Sequence, residues 1–154
     1  MIPVITRPVE EADVPRMAAI RAQRSQTEAF WVDRISRYLK GEHHPQHALP
    51  ARAAFVAILE DQLAGFVAGH LTRRYECGGE LEWIDVIEGR RRSGIASELL
   101  RHLVAWFAEQ KARRICVDVD PANTVARAFY RRQGAGDLSP SWLVWDDITA
   151  AVQQ

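Results

Sequence analysis

An apolar run from Leu81 to Ile87, the turn Arg91-Arg92-Ser93-Gly94-Ile95-Ala96 and a run from Ile95 to Gln110 with helical spacing follow one another along this chain. They dictate a strand that passes through a tight turn into a helix. Glycine at position 94 lets the backbone turn closely without a Cβ, and the small Ala96 keeps the first helical turn open, so successive N–H groups can face an anion. The helix dipole adds roughly half a positive charge at the same place. The turn therefore has the make-up of a phosphate cradle.

The chain has 154 residues, which is the length of one domain with a single substantial core, so one domain over 1–154 is expected. Lys+Arg and Asp+Glu both total 20. With zero net charge there is no long-range field to draw the protein onto nucleic acid or an acidic membrane, and neither is expected as a partner. The two cysteines, Cys77 and Cys116, are too few and too far apart in sequence for a disulfide framework or a zinc site of the usual pair spacing. The first residues, Met1 to Arg7, lack a long apolar signal core, and no stretch approaches the roughly 20 apolar residues of a membrane span. A reduced, cytoplasmic location is the expectation.

Val4 to Arg7 is predicted as a short strand closed by Pro8, followed by helices over Glu10–Arg24 and Thr27–Lys40. Gly41 to Arg52 has two prolines, a glycine and three histidines without a clear period, and is predicted as a long loop. Ala53–Leu59 and Leu63–Leu71 form a predicted hairpin around Glu60-Asp61-Gln62, and a turn at Cys77-Gly78-Gly79 leads into a strand over Glu80–Ile87. The helix from Ile95 shows its apolar stripe at Ile95, Leu99, Leu103, Trp106 and Phe107. Arg114–Val119 is a strand that should lie parallel to the strand before the helix. A helix over Asn123–Gln133, stopped by Gly134, and a strand over Trp142–Trp145 complete the order.

A second motif lies downstream of the cradle: Asn123-x-x-Ala126-x-x-Phe129-Tyr130, then Gly134. Arg91, Gly94 and Ala96 together with this motif resemble the two signatures of the GNAT superfamily of acyl-CoA-dependent N-acetyltransferases. The resemblance covers about residues 80 to 136 through its motifs and the first 75 residues through element order alone. It departs from the commonest pattern at Arg92, where many members have glycine, and at Ala96, where alanine is a permitted substitute for glycine. The region after Gly134 is short, so the family's last two strands must be brief or one nearly absent. The resemblance implies an α/β fold (α+β) with a mixed, mostly antiparallel central sheet flanked by helices and a splayed strand pair forming the acyl-CoA cleft.

It also implies acetyl-CoA as co-substrate and a primary amine as acceptor, joined by direct attack without a covalent enzyme intermediate and without a metal. The pantetheine arm would pair with Ile84, Asp85 and Val86, and a backbone N–H near Val86 would polarise the thioester. The amides of Arg91, Arg92, Ser93, Gly94, Ile95, Ala96 and Ser97 would hold the pyrophosphate. Asn123 matches a side chain that bonds the pantetheine arm, Phe129 belongs to the same signature, and Tyr130 matches the tyrosine that protonates the departing thiolate. Amine deprotonation needs a base, and Glu80 and Glu82 are the candidates. Strict alternation puts Glu80, Glu82, Ile84 and Val86 on one face and Leu81, Trp83 and Asp85 on the other, unless a bulge intervenes.

Each residue has a plainer reading as well. Asn123 suits a helix cap, Tyr130 a core aromatic, and Glu80 and Glu82 a solvated strand face. His43, His44 and His47 lack the companions of a metal site and read as loop surface or acceptor pocket. Arg21, Arg24, Arg34 and Arg37 read as exposed helix faces, and Trp142 and Trp145 as core or dimer-interface packing. The acceptor stays open between a small molecule and a protein or peptide, a non-catalytic acyl-CoA-binding module is the rival class, and a homodimer is left open.

Overall fold

The computed structural model describes residues 3–91 and 93–152. In chain order the elements are β1 (Val4–Pro8), α1 (Val14–Ala22), α2 (Glu28–Leu39), β2 (Ala48–Leu59), β3 (Gln62–Thr72), β4 (Gly79–Val86), α3 (Ile95–Glu109), β5 (Ile115–Asp118), α4 (Thr124–Arg132), β6 (Gly136–Ser139), β7 (Trp142–Trp145) and α5 (Ile148–Ala151). The strands form one sheet in the order β1-β2-β3-β4-β5-β7-β6. Only the β4–β5 pair is parallel, as a crossover through α3 requires. The mixed, mostly antiparallel sheet flanked by helices is thus the architecture expected.

Local chemistry sets the starts of these elements. The Asp13 carboxylate accepts from the Glu10 N–H at 2.7 Å and is held by the Arg7 guanidinium at 2.8 and 3.0 Å, so the chain enters α1 through a short 3-10 turn, Glu11–Asp13. Thr27 Oγ1 accepts from the Phe30 N–H at 3.0 Å and begins α2, satisfying one of the orphan donors of the first turn. Glu60 and Asp61 both have positive φ, 52° and 63°, the geometry of a tight two-residue hairpin.

Two expectations need correction. The long loop is shorter than its composition implies, because β2 already begins at Ala48. Pro50 sits where pairing with β3 breaks, between Ala48 opposite Thr72 and Arg52 opposite His70, a place where a missing N–H does no harm. The Arg52 guanidinium also ties this segment down, donating to the carbonyls of Tyr38 and His43, both at 2.9 Å. Second, β6 and α5 were not apparent in the sequence; β6 is four residues paired only to β7. Cys77 and Cys116 are buried free thiols, Cys77 Sγ donating to Tyr75 O at 3.7 Å and Cys116 Sγ to Gly79 O at 3.9 Å.

Two cores sandwich the sheet. On one face Leu99, Leu103 and Phe107 of α3 meet Val67, Leu81, Ile115 and Leu143. On the other, Met17 of α1 and Trp31, Ile35 and Tyr38 of α2 meet Val56, Phe66 and Trp83. Gly79 is required by close approach, since a Cβ there would overlap the Phe107 ring and lie 2.8 Å from Ile115 Cδ1.

Candidate active site

The site starts from one extra residue. Ala68 faces Trp83 and its neighbour Gly69 faces Leu81, so Glu82 is a bulge in β4. The bulge breaks the alternation expected for this strand. Leu81, Ile84 and Val86 face the α3 core, whereas Trp83 joins the α1–α2 core and Asp85 reaches Arg21 of α1. The expected grouping of Glu80 and Glu82 with Ile84 and Val86 is therefore overturned. Glu80 and Glu82 instead approach His70, whose ring lies beside Tyr38 of the α1–α2 core.

The bulge also opens the sheet. β4 pairs with β5 only from Gly79 to Leu81, opposite Ile115 to Val117, so from Glu82 onward the β5-facing edge of β4 is unpaired. Ile87 gives its N–H to Ala64 O on the β3 side at 2.8 Å. Backbone groups alternate sides along a strand, so Val86 and Ile84 turn theirs to the open edge and Asp85 turns its to β3. Ile84 and Val86 thus present the backbone that an extended ligand would pair with. Asp85 does not: its backbone is directed at β3, and its buried carboxylate is taken by Arg21 Nη1 at 3.0 Å and Arg24 Nε at 2.8 Å.

The splay forms a cleft of about 310 Å³, lined by residues of α1, β4 and β5 and by Asn123, Ala126 and Tyr130. A wider hollow of about 580 Å³ near Arg7 and Arg16 shares no residue with this cleft and lacks a comparable set of acid–base groups. Asn123 Oδ1 caps α4 by accepting from the Ala126 N–H at 3.1 Å, and its amide nitrogen, at the cleft, makes no hydrogen bond among the described residues. Tyr130 is buried edge-on to Phe129 and Trp145, and its hydroxyl makes no hydrogen bond among the described residues. Burial, then the charge of Asp85, raises its pKa, so the phenol keeps its proton. Phe129 is half-buried against the core and does not line the cleft.

Past the open end of β4 lies the cradle. Arg91, Ser93 and Gly94 are exposed, and Arg92 lies outside the described residues. Gly94 has φ +85° and ψ −1°, a left-handed conformation that an L side chain adopts only with strain, and a Cβ there would meet nothing within 4 Å. The first intrahelical bond of α3 is from Glu98 N to Gly94 O at 3.0 Å. The amides of Ile95, Ala96 and Ser97 precede it and have no acceptor within the helix. The Ile95 side chain is buried in the core, so only its backbone can serve a ligand. Ser97 Oγ accepts from Gln133 Nε2 at 3.1 Å, and Ser93 Oγ donates to Arg90 O.

The carboxylates differ in their surroundings. Glu80 Oε1 has Arg74 Nε at 3.3 Å and His70 Nε2 at 3.7 Å. Glu82 Oε2 is buried without a hydrogen-bond partner, 3.9 Å from His70 Nδ1. Burial, then repulsion from Glu80, pushes the Glu82 carboxyl up to about 7. Burial and Glu80 also raise Asp118 on the facing strand.

Several of these residues escaped the sequence. His70 is a polar residue in a largely apolar strand, and only its pairing opposite Glu80 across β3 and β4 brings it to the site. Tyr38 and Arg74 reach the site through tertiary packing alone. Arg21 was expected on an exposed helix face, yet it is mostly covered, stacked 4.5 Å over the Trp31 ring and paired with Asp85. His43, His44 and His47 stay in the loop before β2, where His44 Nδ1 lies 3.1 Å from the Arg52 guanidinium.

The acetyltransferase (GNAT) family model matches residues 20–135, about three-quarters of the chain, including every residue that lines the cleft and the cradle turn. The chain belongs to the GNAT family. A search of curated proteins finds no match. Solved structures share the fold. An aminoglycoside N-acetyltransferase in complex with CoA is 18% identical with a TM-score of 0.74, covering 90% of this chain and 91% of its own. An aminoglycoside 6'-N-acetyltransferase from Acinetobacter haemolyticus is 21% identical with a TM-score of 0.73, covering 88% and 92%. A ribosomal-protein-alanine N-acetyltransferase from Brucella melitensis is 21% identical with a TM-score of 0.66, covering 91% and 94%. No helix among the described residues of this GNAT protein is long and apolar enough to cross a membrane.

Proposed function

We propose that this protein transfers an acetyl group from acetyl-CoA to a primary amine on a small, cationic acceptor. The observation that carries the reading is the unpaired β4 edge at Ile84 and Val86, which lies between the cradle amides of α3 and the carboxylate of Glu82. The pyrophosphate sits at Gly94 to Ser97 and the pantetheine arm continues β4 as a strand. Glu80, Glu82, Asp118 and Asp120 outnumber Arg21 and Arg24 in the cleft lining, which supports an acceptor that arrives as an ammonium ion. Two of the solved structures of like fold are aminoglycoside N-acetyltransferases, which supports a small-molecule acceptor.

In this reaction Glu82 takes one proton from the ammonium. A carboxyl with a midpoint near 7 is well matched to that task at neutral pH, whereas Glu80 Oε1 is already engaged by Arg74 Nε at 3.3 Å. The freed nitrogen pair attacks the thioester carbon, and the carbonyl π pair moves to oxygen, where the Val86 N–H holds it. Collapse re-forms the carbonyl and breaks the C–S bond, sending its electron pair to sulfur. Tyr130 gives its proton to that thiolate, and the second proton of the nitrogen restores the phenol through solvent.

The test is release of free CoA thiol from acetyl-CoA across polyamines, aminoglycosides, amino acids and short peptides. The expected result is a rate above hydrolysis for one class of small amines, with Tyr130→Phe slowing turnover about 100-fold while acetyl-CoA affinity is nearly kept. A response confined to peptides moves the acceptor to proteins. A flat panel alongside tight acetyl-CoA binding makes the protein a binding module. Unchanged turnover in Tyr130→Phe removes Tyr130 from the mechanism.

A further inference from the structure

His70 is fully buried, and its Nε2 has no hydrogen-bond partner. Such an atom is rarely left unused in a native interior. Its other nitrogen, Nδ1, lies 2.8 Å from the Tyr38 hydroxyl. Burial raises the Tyr38 pKa well above that of a free phenol, so this hydroxyl keeps a proton it can donate to Nδ1, the arrangement in which Nδ1 is the acceptor. The ring then carries its own proton on Nε2, which faces Glu80 Oε1 at 3.7 Å, while Nδ1 stands 3.9 Å from the unpartnered Glu82 Oε2. The imidazole thus lies between the two carboxylates, one on each nitrogen.

We propose that His70 is the positioning residue for amine deprotonation and shares the proton that Glu82 removes from the acceptor. The proposal rests on the acetyl-transfer reading given above. After Glu82 takes the ammonium proton, a side-chain rotation brings Oε2 within hydrogen-bond distance of Nδ1. The proton passes from Oε2 to Nδ1 as the Tyr38 hydroxyl turns from donor to acceptor. The imidazolium so formed points its Nε2–H at the Glu80 carboxylate, and Glu82 returns to its charged form. The remaining charged groups around the trio are fixed in place. Arg74 lies on Glu80, Arg52 stacks 4.6 Å over the Tyr38 ring, and Arg21, Arg34 and Asp118 act on Glu82 from α1, α2 and β5. His70, Glu80 and Glu82 also offer ligand atoms within 4.8 Å of one another; with the Arg74 guanidinium already against Glu80, the geometry favours a proton over a second cation.

Protein carrying 13C-carboxyl glutamate and 15N histidine tests this by NMR, the Glu82 signal being identified by its loss in Glu82→Gln. In the wild type the Glu82 carboxyl and the His70 ring nitrogens are expected to change together across one pH range, since sites that share a proton titrate as a unit. His70→Gln and His70→Asn are expected to move the Glu82 midpoint upward by about 1 pH unit, and to move the acid limb of kcat/KM by the same amount. His70 signals that stay flat while Glu82 titrates, or a Glu82 midpoint unchanged in folded variants, overturn the proposal. The two readouts separate the failures. Coupled titration in a wild type that acetylates no amine retires the acetyl-transfer reading and leaves a proton-sharing pair without that role; intact catalysis with uncoupled titration retires only the role of His70.

Discussion

Glu82 is the residue on which most of the account turns. As the bulge in β4 it ends pairing with β5, redirects Trp83 and Asp85 to the α1–α2 face, and leaves its own carboxylate mostly buried beside Glu80. Its midpoint rises from 4.5 to about 7, so the native state retains a proton that the unfolded chain releases over that interval. Stability therefore falls as pH rises from the unfolded to the folded value, and the charged carboxylate costs about 3 kcal/mol above both. Glu82→Gln, which cannot ionise, should be more stable than wild type by about that amount at pH 8, with the difference vanishing near pH 4. Urea melts at the two pH values check this, and a gain that does not depend on pH would show that Glu82 is not strained by its charge. The same substitution should remove the limb near pH 7 from kcat/KM.

At the scale of elements, the turn into α3 and the end of β4 act as one device. Gly94 combines a left-handed backbone with open space where a side chain would stand. Gly94→Ala should therefore cost about 1 kcal/mol in conformational strain and leave acetyl-CoA binding largely intact. Gly94→Glu adds to the same strain a negative charge beside the amides of Ile95 to Ser97, and should weaken binding by at least tenfold more than the alanine variant, measured by calorimetry on folded protein. Equal affinities for the two variants would sink the cradle. This device was legible in the chain because glycine and the helical spacing of α3 are local signals. So were the strands β3 and β4 and the start of α4 at Asn123. The beginning of β2 was not, since the glycine, prolines and histidines before it read as loop, while the tertiary contacts of Arg52 and pairing with Thr72 hold it extended. The face assignment of β4 failed for a related reason: a bulge leaves no mark in alternation, and it decides which carboxylates meet His70.

Over the whole molecule, the sheet divides into two ladders that part beyond Leu81 of β4. β1 to β4 form a continuous antiparallel ladder, β5 to β7 a second one, and three parallel pairs from Gly79 to Leu81 join them. On one face α3 packs against strands of both halves, and on the other α1 and α2 cover the first half alone, so the cleft opens between halves that the α3 core still bridges. Tyr130 from the second half and Glu82 from the first thereby face one gap, with the cradle at its far end. The central claim is that acetyl-CoA lies along this gap, and amide shifts of 15N-labelled protein during an acetyl-CoA titration test it most directly. The account predicts that the N–H signals of Ile84, Val86 and Gly94 to Ser97 move together with one affinity, while those of Ile5 and Asp61 at the wider hollow stay still. Stationary signals at Ile84, Val86 and the cradle under saturating acetyl-CoA would contradict it.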